Sequence, residues 1–136
     1  MDKGSILIVD DEDFAKSGLA KILAEEGFSV HTADDGKSAL SETKNRRFDL
    51  IITDIKMPEL DGIELTRSLK KKNPNQHIIV MTAYGNIDSY LEVMNLGSFD
   101  YIHKPFTAKE LLRIVNKVFE EIKEKELLAK NQKCTI

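Results

Sequence analysis

The stretch Leu50-Ile51-Ile52-Thr53-Asp54-Ile55-Lys56-Met57-Pro58-Glu59-Leu60-Asp61-Gly62 changes character at one residue. Up to Thr53 it is an apolar run of strand length with no polar alternation, the pattern of a strand covered on both faces in a parallel sheet flanked by helices. It then meets a carboxylate, Asp54, and a loop containing Pro58. No helix start appears before Asp61-Gly62, where the aspartate suits an N-cap. An acidic residue at the end of a buried strand, with no helix of its own to cap, calls for a chemical reason.

Working outward, residues 6–9, 28–32, 77–81 and 101–102 are further short runs rich in apolar or β-branched residues and read as strands. Between them lie apolar residues at helical spacing, such as Phe14, Gly18, Leu19, Ile22 and Leu23. Near the C-terminus Leu111, Leu112, Val115, Val118, Phe119 and Ile122 do the same. Gly27 and Gly97 stand where helices need a left-handed C-terminal residue, and Thr107 stands where the last helix needs an N-cap. Strands and helices alternate five times, so the fold class is α/β, a doubly wound parallel sheet. In such a fold the loops after the strands gather at the carboxyl edge of the sheet, and ligands bind there.

Composition bounds the rest. The 136 residues suit one domain, and 41% apolar with 32% charged residues is the balance of a self-folding globular chain. A net charge of −3 gives no bulk electrostatic surface for nucleic acid or membrane, so direct binding to either is not expected. The single cysteine, Cys134, excludes a disulfide framework. Met1-Asp2-Lys3-Gly4 runs straight into the first strand, so neither an export signal nor an anchor is expected, and the cytoplasm is the natural compartment.

The loops at the carboxyl edge carry Asp10-Asp11-Glu12-Asp13 after the first strand, Asp54 after the third, Thr82-Ala83 after the fourth and Lys104-Pro105 after the fifth. Glu12 and Asp13 serve equally well as helix-start acids. Asp10, Asp11 and Asp54 are different, because the fold brings them together, and two carboxylates about 5 Å apart repel by roughly 3 kcal/mol at an effective dielectric of 20. A hard divalent cation is the usual remedy; Mg²⁺ takes a carboxylate or two and leaves room for phosphate oxygens. Asp54 would then be the nucleophile of a phosphoryl transfer. Lys104, aimed back across the site by a turn that Pro105 fixes, and the Thr82 hydroxyl would meet the transferring oxygens. His31, His77 and His103 are too scattered to suggest a metal site, and no glycine-rich phosphate loop follows the first strand.

Asp10-Asp11 after an Ile-Leu-Ile-Val strand, Asp54-Ile55-Lys56-Met57-Pro58 with Asp61-Gly62, Met81-Thr82-Ala83 and Lys104-Pro105-Phe106 together resemble the receiver domains of two-component response regulators. The likeness runs from Ile6 to about Phe119. Met81 to Gly85 and Tyr101 to Phe106 look most like receivers of the nitrogen-regulatory (NtrC-type) class. The resemblance implies a flavodoxin-like five-stranded sheet of order 2-1-3-4-5, built from five β-α units. It also implies phosphoryl transfer from a sensor histidine kinase to Asp54, with Mg²⁺ held by Asp11, Asp54 and the Lys56 backbone carbonyl, and by Asp10 through water. Thr82 and Tyr101 resemble the family's switch pair, and Lys104 its phosphate-contacting lysine. Such a chain is a phosphoacceptor signalling domain that catalyses its own phosphotransfer and dephosphorylation, not an enzyme with external substrates.

On this reading residues 1–122 are the receiver and 123–136 a charged helical extension. Phosphorylation draws Thr82 inward, Tyr101 turns in from an exposed position, and the face formed by the fourth helix, last strand and last helix signals to a downstream effector domain or protein. Lys56 and Tyr84, each two residues beyond a key residue, would flank the phosphoryl group and tune its hydrolysis. Leu111, Val115, Val118 and Ile122 fit a core stripe; their spacing also fits a coiled-coil seam, leaving open a homodimer through the last helix or the signalling face. The chain reads equally as a stand-alone regulator or as a piece of a larger one. Two other classes share parts of the pattern. A small Mg²⁺-dependent phosphohydrolase would use the same nucleophile but lacks a cap to select substrate. A flavin-binding electron carrier would set its phosphate against Asp10 to Asp13.

Overall fold

The computed structural model describes residues 2–83 and 85–134, with side chains up to residue 131. Residues up to Phe106 form one compact unit and those from Thr107 a second. The first contains β1 (Ser5–Val9), α1 (Asp13–Glu25), β2 (Ser29–Ala33), α2 (Gly36–Asn45), β3 (Leu50–Asp54), α3 (Gly62–Lys72), β4 (His77–Thr82), α4 (Ile87–Asn95) and β5 (Asp100–His103). The strands are all parallel, in the order β2-β1-β3-β4-β5.

The apolar runs form the sheet's interior because both of their faces are covered. Ile6 through Val9 and Leu50 through Ile52 are fully buried. Each such side chain is stabilised by about 1.5–3 kcal/mol relative to exposure. From β1 the chain steps outward to β2, then reverses to β3, β4 and β5. With right-handed crossovers this sets α1 on one face and α2, α3 and α4 on the other. On that second face Leu7, Val9, Ile51, Ile78 and Val80 pack with Leu65 and Leu69 of α3 and Val93 of α4. Val93 is the only buried residue of α4, whose Ile87 and Leu91 are 73% and 50% exposed.

Sequence and structure part company at α1. Phe14, expected on the apolar stripe, is 94% exposed, and Gly18 is exposed as well. The buried residues are Lys16, Leu19 and Leu23, spaced i, i+3, i+7, so the inward face is rotated away from Phe14. Strand β2 begins one residue later than its apolar run because the Phe28 N–H is taken by the Leu23 carbonyl, closing the helix behind Gly27. Gly27 (φ 101°) and Gly97 (φ 97°) both end helices in this way.

The Asp61-Gly62 pair has a steric explanation. Asp61 caps α3 through its side chain, which accepts from the Glu64 N–H at 2.9 Å, and the Gly62 N–H donates to the Ile55 carbonyl at 2.8 Å. A Cβ on Gly62 would stand 2.1 Å from the Asp54 carbonyl oxygen. Only glycine lets the helix start so close behind the acidic strand end.

The second unit is the helix α5 (Ala108–Cys134). It continues well beyond residue 122, through most of the expected charged extension. Thr107 caps it, its hydroxyl accepting from the Glu110 N–H at 3.1 Å. Leu111, Val115 and Val118 are buried, whereas Leu127 and Leu128 are more than half exposed. Among the described residues no helix is long and apolar enough to cross a membrane.

Two alanine substitutions separate steric from conformational roles of glycine. Gly62→Ala should lower the unfolding free energy by about 1–3 kcal/mol through overpacking against Asp54. Gly18→Ala, with nothing within 4 Å of its new methyl in an exposed helix interior, should raise it by about 1 kcal/mol. Urea denaturation midpoints of the two variants check both signs.

Candidate functional site

The sheet's hydrogen-bond ladders continue one residue past the strands, and these extensions fix the acidic edge. The Asp10 N–H donates to the Ala33 carbonyl (3.2 Å), Ile55 to Met81 (3.0 Å) and Lys104 to Thr82 (2.8 Å). Asp10, Asp54, Thr82 and Lys104 therefore sit at the ends of neighbouring strands, held by the backbone.

Asp10 is fully buried and Asp54 is 9% exposed, whereas Asp11 is exposed. The three can bring one carboxylate oxygen each within 4.8 Å of the others. Asp10 turns on itself, its Oδ1 accepting from the Glu12 N–H at 3.0 Å. Its Oδ2 accepts from Lys104 Nζ at 3.2 Å, and the same ammonium donates to Asp54 Oδ2 at 2.9 Å. Burial pushes the Lys104 pKa down, but the hydrogen bond and charge of Asp54, with those of Asp10, outweigh it and leave the ammonium above its ordinary value of 10.5. The Lys104–Pro105 peptide bond is cis.

An all-oxygen, carboxylate-rich set with one exposed member suits a hard divalent cation, which the Asp10, Asp11 and Asp54 cluster could hold. An open groove lined by Asp11, Ile55, Lys56, Met57, Pro58 and Asp61 gives access from solvent. Lys56 borders it, its side chain exposed. Thr82, 1% exposed, ends β4 directly beside His103 of β5. Tyr84 lies outside the described residues.

Tyr101 departs from expectation. It is half-buried, not exposed, and packs against the apolar core. Its hydroxyl is 3.0 Å from Ser89 Oγ at the start of α4, and its ring meets Tyr90 and His103 edge-on at 5.5 and 5.7 Å. Ser89 also closes a reciprocal capping box with Asn86. The Asn86–Ser89 pair at the beginning of an apolar helix was a readable sign of that cap; nothing local indicates that Ser89 also reaches a tyrosine twelve residues on.

Lys16 belongs to none of the sequence motifs. Its ammonium, on a side chain only 8% exposed, contacts Asp34 and Asp13 and lies 3.5 Å from the Asp10 carbonyl oxygen. The available signal was a lysine three residues after Asp13 in a helix otherwise apolar on that side.

Comparison with known proteins agrees with this geometry. The response regulator receiver domain family matches residues 6–116. Regulatory protein AtoC of Escherichia coli (strain K12) is 37% identical over 115 residues, 85% of this chain and 25% of AtoC. Nitrogen assimilation regulatory protein NtrX of Azorhizobium caulinodans is 38% identical over 120 residues, 87% of this chain and 26% of NtrX. Among the relatives, too, is the DNA-binding transcriptional regulator NtrC of Salmonella typhimurium, 29% identical over 126 residues. The chain spans about a quarter of the length of these curated relatives. Among solved structures, a response regulator receiver domain protein from Clostridium thermocellum superposes with a TM-score of 0.84 at 32% identity, covering 92% of this chain and 98% of that one. NtrX from Brucella abortus superposes with a TM-score of 0.87 at 32% identity, covering 96% and 29%. With five parallel strands in the order 2-1-3-4-5 and an acidic carboxyl edge, this chain belongs to the response regulator receiver domain family, and its relatives include regulators of the nitrogen-regulatory type.

Proposed function

We propose that Asp54 accepts a phosphoryl group from the phosphohistidine of a sensor histidine kinase in a Mg²⁺-dependent reaction, and that Thr82 and Tyr101 relay its arrival to a downstream effector. The observation that carries this reading is the Lys104 ammonium shared between the Asp54 and Asp10 carboxylates beside an exposed third, Asp11. Asp11, Asp54 and the Lys56 backbone carbonyl would hold the cation, with Asp10 acting through water. When bound, Mg²⁺ supplies charge neutralisation at the phosphoryl oxygens.

An Asp54 carboxylate oxygen attacks phosphorus; the P–O bond forms as the P–N bond to the kinase imidazole breaks, and the imidazole leaves with the electron pair. Lys104, already aimed at Asp54, meets the incoming negative oxygens without rearranging far, and the Thr82 hydroxyl donates to them. Hydrolysis reverses the gain, with water attacking phosphorus and the Asp54 carboxylate leaving. Turnover of external substrates is no part of this role.

Moving a two-state equilibrium from about 1:99 to 99:1 takes roughly 5.5 kcal/mol, and hydrogen bonds to charged groups contribute about 1.5–3 kcal/mol each. Two or three such bonds from the phosphoryl group to Thr82, Lys104 and backbone N–H groups are therefore enough. Since Tyr101 starts half-buried with its hydroxyl on Ser89, its reorientation breaks that hydrogen bond and slackens the first turn of α4. We read residues 1–122 as the receiver and 123–136 as a charged extension, working in the cytoplasm beside a kinase and an effector.

Intact mass after incubation with a small phosphodonor and Mg²⁺ should show one added phosphoryl group. The adduct should be absent from Asp54→Asn and from a chelated sample; its persistence in Asp54→Asn would remove the assignment. Lys56→Ala should change the rate at which the adduct decays, since bulk and charge at the groove rim control water access; an unchanged rate counts against that role. In metal-free buffer Lys104→Met should cost about 2 kcal/mol of stability by leaving buried Asp10 without its cation. Because the folded-state value of Lys104 is raised, this difference should be whole below pH 10.5 and vanish as the pH climbs through the higher folded value. Urea titrations of both proteins from pH 7 to 11.5 check it.

A further inference from the structure

Lys16 carries its charge on a side chain only 8% exposed, held by hydrogen bonds to Asp34 and Asp13. Among the described residues it is the only buried lysine or arginine, 6% exposed. Its carboxylate partners are not buried with it: the Asp13 and Asp34 side chains are 93% and 76% exposed, and ion pairs to such hydrated groups add little to stability. What the burial does achieve is geometric. One ammonium joins the first turn of α1 through Asp13 (3.2 Å), the loop after β2 through Asp34, and the turn after β1 through the Asp10 carbonyl oxygen (3.5 Å). That turn carries Asp10 and Asp11. The Asp10 side chain is fixed by Lys104 and the Glu12 N–H, and its main chain by Ala33 and Lys16.

We infer that Lys16 is a positioning residue for the carboxylate site, tying the Asp10-Asp11 turn to the loop after β2 so that these carboxylates are set for a divalent cation before it arrives. The inference rests on the proposed Mg²⁺ site and deepens it. It makes a prediction whose sign is its own. Lys16 is a positive charge close to a cation site, so as a bare charge it opposes metal binding, and its removal would tighten binding. As a tether it favours binding, and its removal loosens it, in the way that partners behind metal ligands change affinity by about ten- to a hundredfold.

The test is isothermal titration of the full chain with MgCl₂ at fixed ionic strength, for the native protein, Lys16→Met and Lys16→Arg, with urea denaturation alongside. The expected result is Mg²⁺ binding weakened about tenfold in Lys16→Met and restored to within about threefold in Lys16→Arg, which keeps charge and donors. Unfolding midpoints should change little. Equal or tighter binding by Lys16→Met overturns the inference, as does an equal loss in both variants. Absence of Mg²⁺ binding by the native protein would instead remove the proposed metal site, and the inference with it. Should Lys16→Met fail to fold, Lys16→Gln is judged by the same sign.

Discussion

Three carboxylates whose oxygens come within 4.8 Å of one another repel, and the organisation of the first compact unit answers that repulsion. One of the three is fully buried, where an unpaired charge is least tolerable. Lys104 offsets it by donating to two carboxylates at once, and it does so from the end of β5, three strands away from β1. A long side chain on a loop would hold this position poorly. Here it is delivered by a ladder that continues past the strand to the Thr82 carbonyl, so the register of the sheet becomes the precision of the site.

The same constraint explains the less obvious residues. Gly62 lets α3 begin against the backbone of Asp54, which could not otherwise be followed by a tight turn. The fully buried runs of β1 and β3 give the two acidic strand ends a rigid base. Packing and electrostatics are therefore not separable: the core is what holds these like charges together.

Much of this was legible in the sequence, for definite reasons. Uninterrupted apolar runs identify strands covered on both faces, and a polar residue closing such a run is conspicuous; Asp10 and Asp54 stand out in that way, whereas Lys104 is marked by the Pro105 that follows it and Thr82 only by its place beside the other groups. Strand order was different, since periodicity cannot rank strands and the order 2-1-3-4-5 came from family likeness. Phe14 was misplaced because helical spacing gives a period without saying which face turns inward. Lys16 was hidden for the complementary reason: its aliphatic stem packs like an apolar residue, and only three-dimensional neighbours give its ammonium a place. Tyr101 needed the contact with Ser89, which no local pattern encodes.

Helix α4 owes little to the core, with Val93 its one buried residue and Ile87, Tyr90 and Leu91 turned to solvent. An element anchored so lightly opens locally at a free energy well below that of global unfolding, its first turn depending on a cap and a tyrosine hydroxyl. Sequence change along its outer face therefore meets weak thermodynamic resistance. The outer face of α4 is thus the surface most tolerant of substitution, while the acidic edge is locked into the sheet by its backbone ladder.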